Sequence, residues 1–273
     1  MFRYFTLASV VLVLALPAFA AEPLPKKVAV LVGVDEYDKP KLANLQFAGR
    51  DAVVLGIELE NFGFTTTVLT TDMKAERQPT KKNILAALKK AGDGLTKQDV
   101  IVFHFSGQGL QFDGSNQAYL CPRDATPFLE DAKSMIAVSE LLTIFDRAGA
   151  GNSFLLLDAC RNDPDPTRGS DRQLFNLNTG VGVLLGCART EFSFENETLK
   201  HGLFTHAVLK GLRGEAKDHS GKVTWDSLAA YVRETVPVVA EKMMNGRKQR
   251  PQLIENLVGP SFVFVPSESP KSR

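Results

Sequence analysis

Two stretches constrain this chain more than any other: Asp99–Leu110, DVIVFHFSGQGL, and Ser153–Pro164, SFLLLDACRNDP. Each is a short apolar run that gives way at once to small, polar or reactive residues. Such a run is expected as a strand buried on both faces and ending in a loop that carries chemistry. In open α/β sheets the working site lies beyond the carboxyl ends of the strands. Ser106–Gly109 and Asp158–Arg161 are therefore expected on one rim.

The rest of the chain supplies partners for these two strands. Val28–Val34 is a continuous β-branched run and predicts a central strand. Phe47–Phe62 has helical spacing through Phe47, Val54, Ile57, Leu59 and Phe62, with Gly63 as a stop. Phe64–Leu69 predicts a strand, and Thr80 is placed to cap a helix reaching Lys90 that turns Ile84, Leu85 and Leu88 to one face. Gln111–Cys121, with the turn residues Asp113-Gly114-Ser115, predicts a small hairpin, and Val138–Ala148 a helix. Beyond the second tip come a polar loop (Asn162–Thr179), a strand (Val181–Cys187), two helices (Phe204–Leu212 and Trp225–Val239, the latter capped by Thr224) and a last strand (Ser261–Val265). Strands alternating with helices predict an α/β protein: a single six-stranded, mostly parallel sheet with helices on both faces. A nucleotide-binding fold gains no support, because neither GxGxxG nor GxxxxGK[ST] follows the first strand.

Residues 1–20, MFRYFTLASVVLVLALPAFA, have one positive charge, a short apolar core and an Ala-x-Ala close, which predicts a secretory signal peptide cut after Ala20. An uncleaved anchor is the alternative, although the apolar core is short for a bilayer. Residues 21–27 then read as a tether, 28–266 as one domain and 267–273 as a tail, with export to a periplasm or beyond and no stable membrane span once the leader is removed. Arg3 falls in the leader, so the other basic residues of the total of 32 balance the 31 acidic ones. That balance, without a Lys/Arg block, argues against a nucleic-acid partner. Cys121, Cys160 and Cys187 are too few for a disulfide framework, although Cys160 and Cys187 end consecutive strands and a bond between them stays open. No zinc-ligand spacing or cofactor motif occurs, so no metal and no cofactor is expected. Asp163, Asp165 and Asp171 read as solvated loop charge, with calcium as the weaker alternative.

Cys160 has polar residues on both sides and suits a nucleophile, the alternative being a small buried hydrophobe. The tips Asp158-Ala159-Cys160-Arg161 and Ser106-Gly107-Gln108-Gly109 resemble those of caspase/metacaspase-type cysteine peptidases of the bacterial caspase-like kind. That family has a cysteine motif with a histidine about 50 residues upstream, the interval that separates Gln108 from Cys160. Val32–Asp35, Ala48–Ala52, Pro122–Ala125 and Leu185–Ser193 add weaker matches, so the likeness spans nearly the whole domain. It implies a three-layer caspase-like fold and cysteine endopeptidase activity. By the same likeness Gly109 and Cys160 donate backbone N–H groups to an oxyanion hole, and Asp158 lies at the floor of a pocket for an Arg or Lys side chain. Asp158 also reads as a carboxylate capping nearby loop amides. Metacaspases place another acid beyond the fifth strand, where this chain has Arg189, Glu191 and Glu195. Arg168 and Arg172 fall in the segment matching the inter-subunit linker, as cut sites in an active enzyme.

The departure lies at Gln108, which occupies the catalytic histidine's position in that family's S-G-H-G. An amide hydrogen-bonds but does not titrate near neutral pH, and loss of a general acid/base typically costs about 10²–10⁴ in rate. Among other histidines, His104 lies roughly 13 Å back along its strand at strand rise and is expected within the sheet. His206 and His219 read as helix and loop residues, leaving His201 as the candidate substitute base. Three functions follow: a degenerate peptidase that binds a peptide or protein with an Arg/Lys segment, an active enzyme using Cys160 with His201 or water, or a pure interaction module.

Overall fold

The structure is a computed structural model and describes residues 24–112, 117–160, 177–189 and 191–266. The leader, the hairpin turn at 113–116, residues 161–176 (with Asp163, Asp165, Arg168, Asp171 and Arg172), residue 190 and the tail lie outside the described residues. Six strands form the central sheet: β1 (Lys27–Gly33), β2 (Thr65–Thr70), β3 (Val100–Gly107), β4 (Asn152–Ala159), β5 (Val181–Leu185) and β6 (Gln252–Asn256). Their order is β6-β5-β4-β3-β1-β2. All neighbours run parallel except β6, which pairs antiparallel with β5 along one edge.

Strand side chains alternate between faces, which divides the core in two. Ala29 and Leu31 of β1, with Val100 and Val102 of β3, pack beneath α1 (Ala48–Asn61), α4 (Leu203–Lys210) and α5 (Trp225–Met243). Val30 and Val32, with Ile101, Phe103 and Phe105, pack beneath α2 (Lys81–Gly92) and α3 (Val138–Ala148). Both faces being dry, the central strands must be apolar throughout, which is why they stand out in the sequence. Trp225 is fully buried on the first face, stacks on Phe154 at 4.4 Å between ring centroids and donates its indole N–H to Glu255 at 2.7 Å.

The predicted caps hold. Thr80 Oγ1 accepts from Asn83 N, and Thr224 and Ser227 form a capping box at the start of α5. Gln111 lies in the short strand Gly109–Gln111, which pairs antiparallel with Ala118–Leu120, as the predicted hairpin requires. Two expectations need correcting. The buried face of α1 runs through Ala48, Asp51, Ala52, Leu55 and Leu59, whereas Ile57 is 55% exposed, because small residues let this helix lie close on the sheet. Ser261–Val265 does contain a strand (Val263–Val265), but it pairs with Val223–Thr224 in a separate ribbon; the sixth sheet strand is Gln252–Asn256. Among the described residues no helix is long and apolar enough to cross a membrane.

Candidate active site

The carboxyl ends of β3 and β4 lie side by side, with Ser106 in register with Asp158 and Gly107 with Ala159. Gln108 and Cys160 each follow that last pair, and strand alternation assigns His104, Ser106 and Asp158 to the face covered by α1 and α4. The two tips share a cleft of about 320 Å³ whose lining includes Ser106, Gln108, Asp158, Cys160, Phe192 and Glu195. Sulfur and amide thus belong to one cavity, as the sequence predicts.

Cys160 is half-buried, and its Sγ accepts the Ser193 N–H at 3.1 Å. Burial pushes its thiol up to about 11, the Ser193 hydrogen bond opposing the shift and Asp158 adding to it. Left to these surroundings the thiol keeps its proton at neutral pH. Cys187 Sγ is buried and directed at Ala159 O, 3.7 Å away. Cys160 and Cys187 are not joined by a disulfide. Gln108 is fixed at both backbone groups: its N–H donates to Tyr37 Oη at 2.6 Å and its carbonyl accepts from Cys121 N at 2.9 Å. Its side-chain amide donates to Ala43 O at 3.1 Å. Gly109 approaches Cys160 so closely that a Cβ there would collide with the Cys160 carbonyl oxygen.

Asp158 both faces the cleft and caps a backbone amide. It lines the cleft at 5% exposure, and its Oδ2 accepts the Thr205 N–H (3.2 Å) and hydroxyl (2.9 Å) at the start of α4. The Ser193 hydroxyl donates to Oδ1. Burial raises its pKa, while the Ser193 and Thr205 hydrogen bonds pull the other way. Behind it Asp51, fully buried, accepts from Ser106 Oγ (3.3 Å) and Gly202 N (3.1 Å) and meets His201 Nδ1 at 2.6 Å. A Cβ on Gly202 would lie 2.5 Å from Asp158 Oδ2 and 3.1 Å from Asp51 Oδ2, so only glycine fits between the two acids. Burial pushes Asp51 well above the carboxylate range, with the Asp158 charge adding to it.

Of the two acids beyond β5, Glu195 reaches the cleft, where burial raises its pKa and it accepts from Gln46 N and Phe47 N at the start of α1. Glu191 instead pairs with Arg250. His201 is 8% exposed with its imidazole turned to Asp51, and burial holds it down at about 4. Gly202 rather than His201 lines the cleft. His104 is fully buried within the sheet, its Nε2 3.1 Å from Thr205 Oγ1. Among the described residues no group of three or more His, Cys, Asp or Glu side chains is arranged to hold a metal ion.

Asp51, Ser193, Thr205 and Gln249 receive no site role from the sequence, although Asp51 and Ser193 fall within the weaker matches Ala48–Ala52 and Leu185–Ser193. Asp51 had a signal: it is a charge on the α1 stripe Ala48, Ala52, Leu55, Leu59, where periodicity requires an apolar residue. Gln249, Ser193 and Thr205 join Asp158 through tertiary contacts alone, without a local pattern.

A sheet of this order with a cysteine at the tip of a central strand defines the caspase-like α/β class. The structure superposes on caspase-1 from Spodoptera frugiperda with a TM-score of 0.64 at 16% identity, covering 93% of this chain and 98% of that one. Protein GSU0716 from Geobacter sulfurreducens superposes equally, with a TM-score of 0.64 at 18% identity over 89% of this chain and all (100%) of the other. The caspase domain (Peptidase C14) profile matches residues 26–261, and the chain belongs to that family. Metacaspase-3 of Arabidopsis thaliana is 32% identical over 166 residues, which cover 51% of this chain and 45% of the relative. The chain thus spans less than half the length of that curated relative.

Proposed function

We propose that this chain is an exported, degenerate caspase-domain protein that binds Arg- or Lys-bearing peptide segments at Cys160 with little or no turnover. Export rests on the leader at residues 1–20. The preference for a basic side chain is supported by Asp158 and Glu195 in the cleft, with Asp51 behind them and no basic residue among the described lining. A guanidinium or ammonium entering there would meet carboxylates, to which charge-assisted hydrogen bonds are strong.

The observation that carries the loss of turnover is the amide of Gln108 sharing the cleft with Cys160. Thiol attack requires a group that removes the sulfur's proton and returns it to the leaving amine. Gln108 can do neither, and His201 is engaged with Asp51. Cleavage of peptides with Arg or Lys before the scissile bond tests this in wild type, Cys160→Ala and Gln108→His. The expected result is wild type no faster than Cys160→Ala, and Gln108→His faster by about 10² or more. Strong wild-type turnover that Cys160→Ala abolishes would overturn it.

A further inference from the structure

Beside the cleft lies a second cavity of about 620 Å³, lined by Glu191, Phe192, Phe194, Arg247, Lys248 and Arg250. The two cavities share Phe192 and Phe194, so one extended ligand can run from the first into the second. Their charges are opposite. Among the described residues the cleft is lined by acids and no base, whereas the second cavity has three bases against Glu191, whose carboxylate is already engaged by Arg250 Nε at 2.5 Å. Arg247 lies over the Phe194 ring, 5.7 Å from its centroid.

The basic rim is also held in place. Between the exposed Lys248 and Arg250, Gln249 is fully buried. Its Nε2 donates to Gly186 O and Ser193 Oγ, both at 2.9 Å, and its Oε1 accepts the Phe194 N–H at 3.0 Å. Ser193 in turn donates to Asp158. A continuous hydrogen-bonded path therefore fixes the basic rim relative to the acidic floor, so a ligand need not order this segment on binding.

We infer that the second cavity is a carboxylate subsite. It would take an Asp or Glu side chain on the same peptide whose Arg or Lys occupies the Cys160 cleft, an inference that rests on the basic-peptide assignment of that cleft. The ligand class narrows from a basic segment to a segment of alternating charge. This suits a protein with almost no net charge, in which selectivity must come from local charge pattern rather than a global field.

The test uses full-length Cys160→Ala protein and fluorescein-labelled peptides with a single Arg. Glu, or its uncharged isostere Gln, is placed in turn at each of five positions on either side of the Arg. At one or two placements Glu should bind about fivefold tighter than Gln, the scale of an exposed ion pair, and the gain should shrink with added salt. A double-mutant cycle with Arg247→Gln/Lys248→Gln should abolish the Glu–Gln difference. Binding of the Arg peptides without discrimination at any placement would overturn the subsite and leave the cleft assignment standing. Discrimination that survives the double substitution would overturn it as well. Failure of every Arg peptide to bind would overturn both assignments together.

Discussion

Substituting Asp158→Asn separates the proposed contact with a basic ligand from the amide-capping contact that the same carboxylate makes. The backbone N–H of Thr205 cannot turn away, so the oxygen of the introduced amide must face it. The new NH2 group then faces Ser193 Oγ, which already accepts from Gln249. Shape and the start of α4 are kept, while the charge is lost. A hydrogen bond to a charged group contributes about 1.5–3 kcal/mol and a neutral one about 0.5–1.5. With Oδ2 already accepting twice from Thr205, one such bond is open to the ligand at Oδ1, and affinity for an Arg peptide should therefore fall about tenfold. Stability should move the other way. Burial raises Asp158 above its ordinary 3.8. A raised folded pKa gives stability that is complete below the unfolded value and lost as pH rises through the folded one. At pH 7 the ionised group is thus a net cost, and Asp158→Asn should melt at the same temperature as wild type or higher. Fluorescence anisotropy with Arg and norleucine peptides, beside thermal melts at pH 7, reads both effects. Unchanged Arg affinity with a clearly lower melting temperature would refute the argument and reduce Asp158 to a helix cap.

Three further outcomes are expected. Iodoacetamide should alkylate Cys160 slowly at pH 7, with a rate that climbs from the ordinary thiol value of 9.0 towards about 11, because burial holds the proton on sulfur; mass mapping of the labelled peptide reads this, and Gln108→His should speed the reaction at pH 7. Burial lowers His104 to about 3 from 6.5, so the stability it contributes is complete above 6.5 and is lost as pH falls towards 3. Unfolding free energies from urea titrations should drop over that window by up to about 1.4 kcal/mol per pH unit, and less in His104→Leu. Thr224→Ala removes the side-chain half of the α5 capping box and should cost about 1 kcal/mol in urea unfolding.

Much of this molecule was legible in the chain, and the exceptions have physical causes. Strands buried on both faces must be apolar throughout, so β1, β3, β4 and β5 announce themselves. β6 does not: Gln252–Asn256 is an edge strand whose side chains are half-buried or exposed, and it has neither an apolar run nor clean alternation. Val263, Phe264 and Val265 do form a short β-branched and aromatic run, but such a run names a strand and not its partner, and theirs is Val223–Thr224. Cys160, Asp158 and Gln108 could be placed because each terminates a readable strand. Glu195 could be proposed but not chosen over Glu191, since only the fold decides which carboxylate turns to the cleft and which to Arg250.

The loop at position 108 is anchored by its own main chain, through Tyr37 on one side and Cys121 on the other. Geometry and reactivity are therefore stored in different atoms. The residue there can be exchanged without redrawing the loop, so a change of side chain at position 108 alters the chemistry offered to Cys160 while the cradle around it keeps its shape.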